Sequence, residues 1–122
     1  MTLREIIKIL DGEIIYGEDE LDTVINAGSA ADLMSDVLYQ TNPGAILLTG
    51  LVNPQVVRTA EMAEIKAICF VRGKKPDNET IRLAREKQIP LLATDLPMYE
   101  ACGRLYKQRL PGRNEGKSKV GA

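Results

Sequence analysis

Apolar residues in this chain come in short runs, and four of these share one design. Residues 23–27, 45–49, 67–71 and 90–94 are β-prone, each ends in a polar turn, and each turn leads into a stretch with helical spacing. The turns are Gly28 with Ser29, then residues 50–54, 72–76 and 95–97. Strands alternating with helices imply right-handed crossovers and a parallel sheet. All four turns should then gather along one edge, where folds of this class bind ligands.

The intervening stretches carry their own start and stop signals. Thr2 to Glu5 has the spacing of a capping box, followed by Leu3, Ile6, Ile7, Ile9 and Leu10 at mostly helical positions and a stop at Asp11-Gly12. Residues 13–16 are a brief β-prone run, and residues 17–22 form an acidic loop that reads as solvated surface. Ser29 is the expected N-cap of the next helix, with Ala30, Leu33, Met34, Val37 and Leu38 on its apolar face and Asp32, Ser35, Asp36 and Gln40 on its polar one. Asn42-Pro43-Gly44 ends that helix. Asn53 followed by Pro54 gives an N-cap and a proline at the first helical position, and Asp77 caps the helix after the third run. Pro90 belongs at the start of the last strand or on an exposed edge. Pro97 opens the final helix, which carries Tyr99, Ala101, Cys102, Leu105 and Tyr106. The expected fold is a single α/β domain over residues 1–110, a mainly parallel sheet of four or five strands with flanking helices. Residues 111–122, with little apolar content, read as a disordered basic tail. Periodicity leaves the strand order open.

Composition narrows the partners. The chain has 122 residues, 44% of them hydrophobic, which suits one domain with its own core. Sixteen basic residues against 17 acidic ones leave no overall field to attract nucleic acid or an anionic membrane. One Phe, four Tyr and no Trp make a poor base-stacking platform. Nucleic acid is therefore an unfavoured partner, reachable only weakly through Arg109, Arg113, Lys117 and Lys119. Cys69 and Cys102 read as small buried hydrophobes, and with no histidine and no CxxC pair no metal site and no cofactor are expected. Residues 1–10 include Arg4, Glu5 and Lys8, unlike a signal peptide, and no uncharged stretch is long enough to span a membrane. The expected location is the cytoplasm.

Candidate chemistry concentrates in the turns. Arg72-Gly73-Lys74-Lys75-Pro76-Asp77 places three cations around a glycine between a strand and a helix N-terminus, a setting suited to a phosphate or carboxylate. The run also fits a solvated basic turn, and it lacks the second glycine and the Lys-Ser/Thr pair of a Walker A loop. Thr49, Gly50 and Asn53 form a second candidate, with Asn53 serving either as a pure cap or as cap and ligand contact. Gly28 and Ser29 leave room for a ligand but equally make a tight turn. Thr94 and Asp95 contribute a single carboxylate, and one acid without a partner base, nucleophile or metal set is not a catalytic constellation. No catalytic residue is assigned.

Residues 46–50, Asn53-Pro54, residues 67–73 with Lys75-Pro76, and residues 89–92 together resemble the DRTGG domain over roughly residues 2–110. That resemblance implies a fold similar to the N-terminal domain of HPr kinase/phosphorylase, as found in some phosphotransacetylases and CBS-type pyrophosphatases. It implies a regulatory, ligand-sensing or dimer-forming module, the kinase activity of HPr kinase residing in a separate domain. The name-giving residues are altered: Gly50-Leu51-Val52-Asn53 stands where many members have Gly-Asp-Arg, and Val71-Arg72-Gly73 where they have Thr-Gly-Gly.

Three functions stay open at this level. The first is a non-catalytic homodimeric module sensing an anionic metabolite, such as a nucleotide, through Gly28, Ser29, Thr49, Gly50, Asn53, Arg72, Gly73, Lys74, Thr94 and Asp95. The second is a protein-interaction subunit without a small-molecule ligand. The third is a phosphotransfer or hydrolase enzyme using Asp95 and Lys74, for which the usual set of groups is missing.

Overall fold

Local signals act first at the N-terminus. In the computed structural model, which describes residues 1–112, Thr2 Oγ1 accepts the Glu5 amide at 3.2 Å while the Glu5 carboxylate accepts the Thr2 amide at 2.8 Å. These hydrogen bonds from Thr2 also hold the Glu5 carboxyl below its ordinary pKa, with the backbone amide the larger cause. Helix α1 follows over Leu3–Ile9. The remaining elements are β1 Glu13–Tyr16, a single 3-10 turn Glu18–Glu20, β2 Ala27–Ala30, α2 Met34–Gln40, β3 Ala45–Thr49, α3 Pro54–Met62, β4 Ala67–Phe70, α4 Asn78–Lys87, β5 Leu91–Ala93 and α5 Met98–Lys107. From Arg113 onward the expected disordered tail lies outside the described residues.

The five strands form one sheet in the order β1-β5-β4-β3-β2. Strands β2 to β5 are parallel, and β1 closes the other edge antiparallel to β5, with Glu13 opposite Ala93. Each of the three crossovers moves one strand along the sheet, so right-handed connections put α2, α3 and α4 on one face. There Val37, Val56, Val57, Ala60 and Ala84 pack on Leu47, Ile68, Phe70 and Leu91. The opposite face is covered by α1 and α5, whose Leu3, Ile6, Leu10, Ala101 and Leu105 meet Ile46, Leu48, Cys69 and Leu92. Coverage on both sides explains why all five residues of β3 and all four of β4 are buried. Phe70, the only Phe, lies fully buried in this core, and burial of such a side chain contributes about 1.5–3 kcal/mol. Burial without a partner charge pushes the Cys69 thiol up to about 12, so it stays a neutral core group.

The second strand departs from the sequence reading. It spans Ala27–Ala30 rather than residues 23–27, and Gly28 and Ser29 pair with Ile46 and Leu47 inside it. Neither residue lies in a turn, and Ser29 is not an N-cap: α2 starts five residues later at Met34 behind Leu33, while Ser29 Oγ shares a 2.8 Å hydrogen bond with Thr41 Oγ1. Small residues such as these carry little apolar signal, so the β-branched Thr23, Val24 and Ile25 dominate the pattern upstream. What selects Ala27–Ala30 is nonlocal: β3 pairs with it on one side, and on the other the Gly28 amide donates to the Pro111 carbonyl at 2.8 Å. Pro111 is thus docked on the sheet, one residue into the segment expected to be tail. The expected apolar faces also shrink, because Leu33, Leu38, Tyr99 and Tyr106 are exposed.

Candidate functional site

Three successive strand ends, Thr49, Phe70 and Ala93, bring the turns after β3, β4 and β5 side by side. The first turn is shaped by Thr49. Its hydroxyl donates to Asp32 Oδ1 at 3.0 Å and accepts the Leu51 amide at 3.1 Å, while the Gly50 amide donates to the same Asp32 oxygen at 2.7 Å. Asp32, from the segment between β2 and α2, thereby belongs to this edge; helical spacing had placed it on a solvent face. No local motif marks it, since its partners lie 17 and 18 residues away. Asn53 is the N-cap of α3 as expected, its Oδ1 accepting the Gln55 amide at 3.0 Å.

The basic turn after β4 is wound tightly. Arg72 and Gly73 have φ of 61° and 70°, and the Lys74 amide donates to the Val71 carbonyl at 3.1 Å, closing the turn. Positive φ at both central residues is the type I′ pattern, which favours Gly, Asn or Asp; an arginine there costs about 1–2 kcal/mol of backbone strain. The strained backbone is held by its neighbour, with the Arg72 amide on the Leu96 carbonyl at 2.8 Å and the Gly73 amide on the Thr94 carbonyl at 3.0 Å. Its side chain leaves in the other direction. The Arg72 guanidinium lies across Gly50, in the space a β-carbon there would fill, so glycine is what lets it pass.

The third turn is a latch. Thr94 is buried, donates its hydroxyl to the Leu10 carbonyl at 2.7 Å and accepts the Leu96 amide at 3.2 Å. Asp95 is exposed, and its Oδ1 comes within 3.3 Å of where a β-carbon on Gly73 would stand. Beyond the cations, Asp77 accepts the Thr80 hydroxyl at 2.6 Å and the Thr80 amide at 2.8 Å, and these bonds, the hydroxyl first, hold its carboxyl below the ordinary value.

The structure therefore gathers Thr49, Gly50, Arg72, Gly73, Lys74, Thr94 and Asp95 at one sheet edge, with Asn53 at its rim. Gly28 and Ser29 lie elsewhere, inside β2, Gly28 against Leu110 on the α5 face and Ser29 with its hydroxyl on Thr41 at the end of α2. The amides of Gly50 and Gly73 already donate to Asp32 and Thr94, so among the expected donors the free charge resides in side chains. Lys75 pairs with Glu13 of β1, whereas among the described residues Arg72 and Lys74 form no ion pair. Two exposed cations, one held over a glycine by a strained backbone, share this edge with two exposed carboxylates, Asp32 and Asp95. Such a rim has the groups to bind an anion and a hydroxyl- or amine-bearing group together.

No curated protein matches the chain. Among solved structures, the CBS and DRTGG domains of the regulatory region of a Clostridium perfringens pyrophosphatase, complexed with its activator diadenosine tetraphosphate, superpose with a TM-score of 0.69 at 20% identity. The match covers 90% of this chain and 47% of that one, so the chain spans about half of the region it resembles. At this identity the likeness shows a common fold. The DRTGG domain model matches residues 5–107, nearly the whole described chain, and the protein belongs to the DRTGG domain family.

Proposed function

We propose that this protein is a non-catalytic regulatory module, homodimeric, that senses an anionic metabolite of the nucleotide class at the C-terminal edge of its sheet. The observation that carries this reading is Arg72. A charged side chain on a type I′ backbone costs strain without adding to the core, and its guanidinium is aimed over Gly50, unpaired with any described carboxylate. Strain retained where nothing structural requires it marks a group with another use. Arginine suits planar recognition of a phosphate, and Lys74 adds a point charge beside it. Asp32 and Asp95 give the rim acceptors for ribose hydroxyls or a base amine. Membership of a domain family found in the regulatory region of a nucleotide-activated pyrophosphatase supports the same ligand class.

Isothermal titration of the full chain with ATP, diadenosine tetraphosphate and pyrophosphate tests the sensing. Saturable heat with at least one of them, lost when Arg72 is replaced by Ala, is the expected result. No heat from any at millimolar concentration refutes it and favours a protein-interaction subunit, while release of phosphate or of a cleaved nucleotide in the same mixtures restores the enzyme reading. Static light scattering measures the self-association separately.

A further inference from the structure

Helix α5 turns Ala101 and Leu105 into the core, and its outer surface is unlike that of a solvated helix. Tyr99 and Tyr106 stand 89% and 67% exposed at positions seven residues apart. Between them on the same face lies Gly103, flanked by Cys102. Gly103 is inside the helix, where glycine is the poorest helix former apart from proline. The fold gives no reason for it: a β-carbon built there meets nothing within 4 Å. A residue that weakens its own helix, with open space above it and a ring on either side, fits a helix approached closely by another backbone.

The charges on this face say which backbone. Glu100 and Lys107 lie on the same flank of the Tyr99–Gly103–Tyr106 stripe, and among the described residues neither has an ion-pair partner. Arg104, further round, is already engaged with Asp11 and the Ile9 carbonyl. A second α5 running antiparallel about a two-fold axis level with Gly103 places each Glu100 opposite the other copy's Lys107. Each tyrosine then covers the other copy's glycine-centred groove. A parallel arrangement about an axis along the helices would put the two copies' Glu100, and likewise their Lys107, on opposite flanks of the contact, where no such pair forms. The stripe is self-complementary in one orientation, as an isologous interface requires.

We propose that α5 is the homodimer contact, packed antiparallel on its own copy across Gly103 with two Glu100–Lys107 pairs. This rests on the dimeric reading above and adds where the copies meet. Sedimentation equilibrium of the full chain decides it, with circular dichroism to check that each variant folds. Gly103→Leu should stay folded, because the free chain has room for the side chain, yet raise the dimer dissociation constant at least tenfold. Glu100→Lys and Lys107→Glu should each weaken the dimer several-fold, and the double exchange should restore it. Native chain that stays monomeric at high micromolar concentration overturns both the dimer and this contact. A native dimer indifferent to Gly103→Leu, or one dissociated by Tyr39→Arg on the exposed side of α2 instead, overturns the contact and leaves the dimer standing. A double exchange that fails to recover association refutes the antiparallel register.

Discussion

The turns after β3 and β5 begin with the same device and end in opposite roles. In each, a buried threonine at the strand end accepts the amide two residues on, Leu51 for Thr49 and Leu96 for Thr94. The difference lies in where each hydroxyl donates. Thr94 finds the Leu10 carbonyl at the end of α1 and locks two elements together in the interior; Thr49 finds the exposed carboxylate of Asp32. Arg72 joins the two turns, its amide bound to Leu96 of the Thr94 turn and its guanidinium lying over Gly50 of the Thr49 turn. One turn anchors a strained backbone, and the other receives the side chain that the strain directs. A single hydrogen-bonding motif thus ties two elements together at one strand end and shapes the proposed binding rim two strands away.

The largest expected consequence is for the anchor. Thr94→Val keeps the shape but leaves the Leu10 carbonyl and the Leu96 amide without their partner, and two such groups cost about 2–4 kcal/mol of stability in urea denaturation. A loss below 0.5 kcal/mol, taken as roughly the level of an ordinary surface change, would show that Thr94 is no latch.

On the receiving side the effect should appear in binding. Arg72→Ala keeps the backbone penalty while removing the guanidinium, so ATP binding should weaken by about 1.5–3 kcal/mol with little change in folding. Gly50→Ala sharpens the point: its β-carbon would push the flexible Arg72 tip aside, so affinity should fall although the charge is retained. If Gly50→Ala binds ATP as the native chain does, the position of the guanidinium is immaterial and only its charge acts.

Thr49→Val removes the counterpart of the Thr94 hydroxyl. Asp32 is exposed and can turn to water, so the expected loss is smaller, about 0.5–1.5 kcal/mol. Equal losses at Thr49 and Thr94 would dissolve the contrast between the two turns.

The smallest effect belongs to Asp77, which orders Thr80, itself within 3.1 Å of the Val52 carbonyl in the Thr49 turn. Its folded pKa is depressed by those bonds, so its stabilisation is full above the unfolded value of about 3.9 and is lost as pH falls through the lower folded value. Native chain should therefore be more stable than Asp77→Asn at pH 6, and the gap should narrow progressively as the pH falls below the unfolded value. A gap independent of pH would mean that the cap acts without its charge.

Local chemistry alone determined much of this molecule. The Thr2–Glu5 box, Asn53 with Pro54, Asp77, and the apolar runs of β3, β4 and β5 are all readable because each depends on residues within a few positions of one another. Arg72 and Lys74 stood out for the same reason, as charges adjoining a glycine. Tertiary structure decided whatever depends on a distant partner. Ala27–Ala30 became a strand because β3 and Pro111 supply its hydrogen bonds, which took Gly28 and Ser29 out of the edge. Asp32 entered the edge because Thr49 and Gly50 were brought to it across an intervening helix. Tyr99 and Tyr106 share the helical spacing of α5 with Ala101 and Leu105, yet only the latter face the sheet: periodicity says which residues share a face, and packing alone decides which face is covered.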